Sequence, residues 1–581
     1  MDRIFSMDRN YDSALIQGYE RMAAWSDLLD TINVFPVADA DTGRNLKISL
    51  APLRRLTNDP KTVPHHLIRA ATGNSGNIAA GFFSELLAVR TGVQLPDAIR
   101  SGLHKARQAV AEPKAGTMLS VFEALALAAS QQDLTPPGWD LDTIMRHLEK
   151  TVSDTSVILP QLKAAGVVDS GALGMFIFLE GFLCGLAGKS THGRPVTETF
   201  RGSLKIADGW RPAADIDADD YCVSAVIRPE GSLDQARQSL ESCGTSLVVT
   251  TDADCLKVHL HTGDRKALKS DLADIGCVVG WSEERIETVQ PEHAPAIGAM
   301  HVMTDAAGSI TVDDARELGM TLLNSYLLVG EQVCPETLYA PQKLYSAMSG
   351  GTRVSTAQAS AFERHQCYLS AVSRFDRVLY LCVGSVYTGN YDTAVAWKAQ
   401  NDPDDRLTII DTGAASGRLG IMALAAARYA QRVRDPQAVV HFAREAVAHS
   451  GELVFLDQLK YLAAGGRISK TKGFFGDLLH KKPIITPTAQ GAAKVGIVRN
   501  RGEQLAFALE RLQHTFEKTA APFILLQYSD NQQWVEETAA ARVRALLPAA
   551  RIWFRPLSLT SGAHMGPGTW AVAYLPATFY D

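Results

Sequence analysis

The sequence predicts a multidomain chain with an all-α region first, a small α/β domain in the middle and a two-lobed α/β region last. Three observations predict it. From about residue 10 to 190, apolar residues recur at three- and four-residue spacing, as in 86–106, 121–131 and 144–157, which is the period of amphipathic helices. After Tyr221, short strand patterns at 222–227, 246–250 and 256–261 are interleaved with helical ones. From His301 onward, apolar strands at 378–383 and 407–410 alternate with helices such as 419–433, a βαβ rhythm that implies parallel sheet, and 523–527 and 570–574 supply late strands.

At about 100–200 residues per domain, 581 residues make three or four domains. Breaks in composition place them at 1–195, 205–297 and 298–581, the last divided into lobes of about 298–440 and 441–581. Residues 188–220, where Thr, Arg, Gly and acidic residues replace the apolar period, read as a linker. With 46% hydrophobic and 21% charged residues the composition is ordinarily globular. A formal charge of −6 excludes a nucleic-acid footprint, which needs a basic face. The eight cysteines are scattered without a CxxC pair, so reduced thiols in a cytoplasmic protein are expected. No apolar leader is visible at the N-terminus. The most hydrophobic stretch, 171–187, is short for a membrane span and carries Glu180 in its middle; it reads as a buried helix, with transient membrane-surface contact as its one membrane role.

Chemistry concentrates in a few turns. Asn33-Val34-Phe35-Pro36-Val37-Ala38-Asp39-Ala40-Asp41-Thr42-Gly43 sets two carboxylates two residues apart. Mg²⁺ wants oxygen ligands and is commonly held by one or two carboxylates plus nucleotide phosphates. Thr42, Gly43 and Asn45 add a hydroxyl, a flexible backbone and an amide beside them. Gly73-Asn74-Ser75-Gly76-Asn77 opens a helix whose free N–H groups suit phosphate oxygens, and Gly116-Thr117-Met118 and Asp169-Ser170-Gly171-Ala172 repeat that design. Each turn taken singly is equally an Asx-turn or a helix cap. Spacing does not bring the turns together.

Residues 33–45 closely resemble the signature of the nucleotide-binding domain of dihydroxyacetone kinases (the DhaL type), and more narrowly the ATP-binding subunit of bacterial fatty acid kinase. The later turns match that family in order and approximate spacing over residues 10–190. The resemblance implies an antiparallel eight-helix barrel binding ATP through two Mg²⁺ ions at its open end, with Asp39 and Asp41 as metal ligands and Asn33 or Asp30 as a further one. It implies nucleotide contacts at Thr42, Asn45, Asn74, Ser75, Gly76, Thr117, Met118 and Asp169. Ala38 replaces the usual Pro, Ala40 a Gly, Arg44 a Thr and Thr72 an Arg; Arg44 becomes a candidate phosphate contact.

In Cys255-Leu256-Lys257-Val258-His259-Leu260-His261-Thr262, the two histidines share one face of a strand. That pattern is either an exposed polar face or part of a zinc site needing more ligands. The segment resembles the histidine strand in the middle domain of the ATP-binding fatty acid kinase chain, and Tyr221-Cys222 resembles its partner strand. This implies a structural zinc on Cys222, His259 and His261, with Cys255, of the same strand parity, as the rival thiol.

The C-terminal region contains Thr304-Asp305-Ala306, Ser355-Thr356-Ala357-Gln358-Ala359-Ser360, Tyr387-Thr388-Gly389-Asn390-Tyr391, Gly465-Gly466-Arg467-Ile468-Ser469-Lys470 and Gly562-Ala563-His564-Met565-Gly566-Pro567-Gly568. Hydroxyls, amides and cations of this kind can hold a carboxylate, although taken singly such an Arg is commonly a surface residue and such a Thr a cap. The set resembles the DegV family of fatty-acid-binding proteins over about 299–581. It implies two α/β lobes around an apolar acyl tunnel, with Thr356, Thr388, Gly389, Arg467 and His564 at the head group. Together the resemblances imply a fusion of kinase and acyl presenter: a fatty acid kinase making acyl phosphate, with Asp39, Asp41, Arg467 and His564 as the catalytic set and a homodimer as its assembly. The alternatives are a kinase of a small hydroxylated metabolite and a non-catalytic lipid-binding sensor.

Overall fold

Glu180, the one charge in the most apolar helix, is paired. The computed structural model describes residues 4–56, 62–89, 94–131, 139–189, 194–212, 220–286, 298–464 and 481–579. In it Ser170–Leu186 is a helix whose residues 170–184 are all buried, and Arg21 of the helix Ile4–Ala24 donates through Nε to Glu180 at 2.8 Å. The two helices cross closely because Gly181 has no side chain: a Cβ there would stand 3.0 Å from Gln17 O and from Gly18 Cα. No helix among the described residues is long and apolar enough to cross a membrane.

The chain divides into two units, Met1–His293 and Ala294–Asp581. In the first, helices form wherever the apolar stripe recurs. Leu141–Ile158 starts at an N-cap, Asp140, which accepts from Thr143 N, and it buries Leu141, Ile144, Met145, Leu148 and Val152 at helical spacing. The predicted helix 86–106 is instead divided between two elements, Gly73–Leu86 and Leu95–Ala109, the second opening afresh on Pro96 in its first turn. Phe82, Phe83, Phe122 and Phe178 interlock, with Phe82 and Phe122 stacked at 3.8 Å. Each such buried ring contributes about 1.5–3 kcal/mol.

The stretch read as a linker is partly folded back. Phe200 packs edge-on against Phe176 at 5.1 Å, Val168 N donates to Ser203 O and Ala207 N to Ala165 O. Local polarity hid this, since only a few of its described residues are buried.

Four antiparallel strands follow, β1 (Tyr221–Pro229), β2 (Thr245–Asp252), β3 (Cys255–Thr262) and β4 (Gly276–Arg285), in the order β2-β3-β1-β4. Alternation sends Val223, Ala225, Ile227, Leu256, Val258 and Leu260 to one face, where the helices Leu233–Leu240 and Arg265–Ile275 cover them. Cys222, Ser224, Lys257, His259 and His261 have the opposite parity, and that face lies against the N-terminal helices, with Lys257 Nζ donating to Ile68 O at 2.9 Å.

The second unit begins with β5 (His301–Asp305), β6 (Thr321–Leu323), β7 (Tyr326–Val329), β8 (Gln332–Pro335) and β9 (Val354–Ala357). It continues with β10 (Val378–Cys382), β11 (Leu407–Asp411), β12 (Gly451–Phe455), β13 (Lys482–Thr488) and β14 (Gly491–Val498), and closes with β15 (Phe523–Tyr528), β16 (Arg551–Pro556) and β17 (Trp570–Leu575). The sheet β11-β10-β5-β6 is parallel, as the βαβ rhythm predicts. The six-stranded sheet β14-β13-β12-β17-β15-β16 is not: only β15 and β16 run parallel in it. A strand fully buried on both faces reads the same in either direction, so apolar runs alone could not tell the two apart. The helices Ser416–Arg432 and Pro436–His449 contribute to a single core together with Leu379, Leu381, Phe523, Leu525, Ala573 and Leu575, so both sheets pack on shared interior helices. A third sheet, β8-β7-β9, carries Thr356.

Candidate active site

The turn at 33–45 is built to present acid. Asn33 Nδ2 donates to Asp39 Oδ1 at 2.7 Å. Asp41 is the residue before the helix Thr42–Leu50, and its carbonyl accepts from Asn45 N at 2.8 Å. Asp30 Oδ1 accepts from Gly43 N at 2.6 Å and Arg44 N at 3.1 Å, so this aspartate secures the start of that helix. Ala40, between the carboxylates, has φ +51, the left-handed conformation that the family's glycine adopts freely and alanine adopts at about 1–2 kcal/mol. Burial and the Asp41 charge hold the Asp39 carboxyl well above the usual carboxylate range. Two acids crowded in this way are suited to a divalent cation, which supplies the charge they lack.

Tertiary structure brings every later turn onto this one. Ser75 Oγ lies 3.5 Å from Thr42 Oγ1. Lys114 Nζ stands 5.7 Å from the centre of the Phe35 ring, on the turn where Gly116 N donates to Ser120 Oγ at 3.0 Å and Thr117 Oγ1 to Lys114 O at 2.8 Å. Ser170 Oγ donates to Asn33 Oδ1 at 3.2 Å. Gly73 has φ +62, and a Cβ on it would collide with the Asn45 amide, so the second turn seats directly on the first. Asn77 Nδ2 donates to Gly73 O at 2.7 Å, while the buried Asn74 Oδ1 and Asn77 Oδ1 have no hydrogen-bond partner among the described residues. Asp169 caps the Ser170–Leu186 helix through Ala172 N at 2.7 Å, and burial pushes its carboxyl up to about 7. Met118 is buried, with its side chain packed beside Gly171 of the fourth turn. Arg44 forks onto Glu284 of β4, with Nη1–Oε1 at 3.2 Å, instead of standing free for phosphate; the acidic end of β4 was too distant in sequence to suggest the pair.

The ligand atoms of Cys222, His259 and His261 lie within 4.8 Å of one another. Cys222 pairs with His261 across β1 and β3, and Ser224 Oγ stands 3.0 Å from His259 Nδ1. Burial pushes His259 down to about 3, and burial likewise lowers His261 against the Asp41 charge. Both rings are therefore neutral, the state in which an imidazole ligates metal. Burial, then the charges of Asp41 and Asp39, push the Cys222 thiol up, so only a bound cation would make it a thiolate. One sulfur and two imidazole nitrogens suit zinc. Cys255, at the far end of β3, bonds instead to Asp254 Oδ1 at 3.6 Å. The histidines are buried, not on an exposed polar face, because the sheet's second face is covered by the N-terminal helices.

In the second unit Thr356 Oγ1 lies 3.2 Å from His564 Nε2, the latter on the helix Leu559–Met565. An apolar cluster of Leu327, Val329, Leu344, Tyr345, Met348 and Leu559 adjoins them, with Tyr461 and Ala563 packed on it. Thr388 and Gly389 belong to another element, the start of the helix Asn390–Asn401, where Thr388 Oγ1 accepts from Asn390 N at 3.3 Å. Asp305 is buried and accepts from Val383 N at 2.7 Å, Tyr380 Oη at 3.0 Å and Asn390 Nδ2 at 2.5 Å, and Asn390 in turn accepts from Arg364 at 2.6 Å. Burial holds Asp305 at about 6. Arg364 was not among the sequence candidates, and Asn390 entered only as a member of the Tyr387–Tyr391 segment, with no sign that it would bond Asp305. Arg467 lies outside the described residues.

Residues 36–184 match the DAK2 domain family, 218–293 the family of fatty acid kinase A-like middle domains, and 299–577 the family described as uncharacterised protein, DegV family. A DAK2 domain, a fatty acid kinase-type middle domain and a DegV domain share one chain. An uncharacterised protein of Staphylococcus epidermidis is 31% identical over 278 residues, 43% of this chain and 49% of that protein. Protein YloV of Bacillus subtilis is 27% identical over 323 residues, 50% of this chain and 56% of its own length. The chain thus spans about half the length of the curated relatives it matches. The solved DegV family protein of Thermus thermophilus, described by its fatty acid binding, is 24% identical with a TM-score of 0.44, covering 48% of this chain and 99% of that one. DegV of Bacillus subtilis, described as a fatty acid binding protein, is 18% identical with a TM-score of 0.44, covering 48% and 100%. The carboxylate pair and its converging turns fall in the DAK2 domain, the Cys222 cluster in the middle domain, and the Thr356–His564 pair in the DegV domain.

Proposed function

We propose that the chain is an ATP-dependent fatty acid kinase, in which the DAK2 domain transfers the γ-phosphoryl group to the carboxylate of a fatty acid bound by the DegV domain. The observation that carries the reading is the convergence of three separate turns on the Asp39–Asp41 turn. Asp39 and Asp41 are the residues that would hold Mg²⁺, with Thr42, Asn45, Ser75, Thr117 and Asp169 around the nucleotide. The unpartnered amide oxygens of Asn74 and Asn77 would be further groups for the ligand to engage at the same turn. Divalent cations, once bound, supply charge neutralisation at the phosphates.

The acceptor is an ionised carboxylate, so no general base is needed. A carboxylate oxygen forms the new bond to the γ-phosphorus, the bond from that phosphorus to the bridging oxygen breaks, and ADP leaves with the electron pair. The protein's part is to orient donor and acceptor and to shield the reaction from water. Thr356 and His564 would hold the carboxylate, joined by Thr388, Gly389 and Arg467 as the family resemblance implies. Cys222, His259 and His261 would hold a structural zinc that ties β1 to β3.

The test incubates the purified chain with oleate or palmitate, labelled ATP and Mg²⁺, and traps acyl phosphate with hydroxylamine. Acyl phosphate formed by the unmodified chain and lost in Asp39→Ala is expected. No product, or undiminished product from Asp39→Ala, overturns the proposal; ATP and lipid binding without transfer would assign the chain as a lipid sensor instead.

A further inference from the structure

β3 carries a third polar residue on the face that bears His259 and His261. Lys257 is only 7% exposed. Its Nζ donates to Ile68 O and Arg69 O, each at 2.9 Å, and to Ala71 O. Burial lowers the Lys257 amine to about 7; its ammonium form has three hydrogens, and each meets a main-chain carbonyl. These carbonyls close the helix Val63–Ala70 and its cap, Ala71. The last carbonyls of a helix lack intrahelical partners and carry partial negative charge, so a buried cation there replaces the solvation that burial removes.

The chain runs from that cap straight into the Gly73-Asn74-Ser75-Gly76 turn. Ala71 and Thr72 are extended, Thr72 N donates to Ser49 Oγ at 3.0 Å, and Gly73 then turns the chain into the next helix. The entry to the turn is therefore fixed from two sides, by Lys257 of the middle domain and by Ser49 of the Thr42–Leu50 helix. Asp252 grips the same short helix through His65 Nδ1 at 2.5 Å and Arg69 Nε at 3.1 Å, but those side chains are 56% and 78% exposed, and such pairs are worth little.

We propose that Lys257 is a positioning residue for the nucleotide turn: by holding the Ile68, Arg69 and Ala71 carbonyls it sets where residues 73–77 present their amides, and so makes phosphate binding by the DAK2 domain depend on the middle domain. This rests on the nucleotide reading of the DAK2 domain. Lys257 touches no ligand itself. It acts through the backbone of the preceding helix.

The experiment measures Mg·ATP affinity of the full chain by calorimetry for the unmodified protein, Lys257→Met and Asp252→Asn, with thermal stability and zinc content followed in parallel. Lys257→Met keeps the stem and removes the hydrogens; it is expected to weaken Mg·ATP binding about tenfold or more while zinc content stays unchanged. Asp252→Asn, which loosens the His65 and Arg69 contacts and removes a nearby charge that favours the Lys257 ammonium but keeps all three carbonyl contacts of Lys257, is expected to stay within about fivefold. Should Lys257→Met not fold, Lys257→Gln, which retains a shorter donor, carries the same criterion. Unmodified affinity in a folded Lys257 variant overturns the inference and leaves the nucleotide reading standing. Absence of Mg·ATP binding by the unmodified chain overturns both.

Discussion

Cys222 and His261 stand directly opposite each other on neighbouring antiparallel strands, with His259 two residues along and its Nδ1 3.0 Å from Ser224 Oγ. Register alone thus places a sulfur and two imidazoles in one buried cluster. If the cluster holds zinc, Cys222→Ser and His261→Ala each lose the metal, and metal analysis by mass spectrometry reads the loss directly. Cys255→Ser leaves it in place. Full zinc retention by both cluster variants would remove the site.

The Arg21–Glu180 pair joins two helices where both side chains are almost fully buried. Removing one partner breaks a buried pair, so Arg21→Met or Glu180→Leu alone is expected to cost about 3–5 kcal/mol. The double variant should cost less than the two singles together, because the pair is lost only once. Urea unfolding of the three variants checks this; costs that simply add would show that the two side chains do not interact.

Glu336 is buried and accepts from Thr560 N at 2.9 Å, at the start of the helix that carries His564. Burial raises its carboxyl from 4.5 to about 7. Between those values the folded protein keeps a proton that the unfolded chain has lost, so this residue makes stability fall as pH rises through the window, by about 3 kcal/mol in all. Glu336→Gln, which imitates the protonated form and keeps an accepting oxygen, should be relatively more stable at pH 7.5 than at pH 5. Denaturant titrations at the two pH values measure the difference; the same pH response in variant and unmodified protein would show another group to be responsible.

For the lipid end, Thr356→Val and His564→Ala are each expected to weaken fatty-acid binding about 10- to 100-fold, the worth of a hydrogen bond to a carboxylate. Tyr461→Phe, on the adjoining apolar cluster, changes no charge and should leave affinity within about threefold. Displacement of a fluorescent fatty acid is the readout, and undiminished binding by both head-group variants would move the site elsewhere.

Much of this molecule was legible one residue at a time. The helical period, the strand pattern after Tyr221 and the parallel rhythm after His301 are local signals, and the chemistry of Asp39-Ala40-Asp41 or His259-Leu260-His261 is carried by residue type and parity. Strand parity offered Cys255 as the thiol beside the two histidines; Cys222 came only from the family resemblance, and the β1–β3 register is what sets it opposite His261. What no local pattern contains is which distant segments meet. Ser170 on Asn33, Ser75 near Thr42, Arg44 on Glu284 and Lys257 on the Ile68–Ala71 carbonyls span separations of 33 to 240 residues, and each exists only because the apolar faces of helices and sheet pack in one arrangement. Periodicity says that a face is buried and not against what; packing chooses the partner, and with it the direction of the strands in the last sheet, the burial of the two histidines and the assembly of the N-terminal turns.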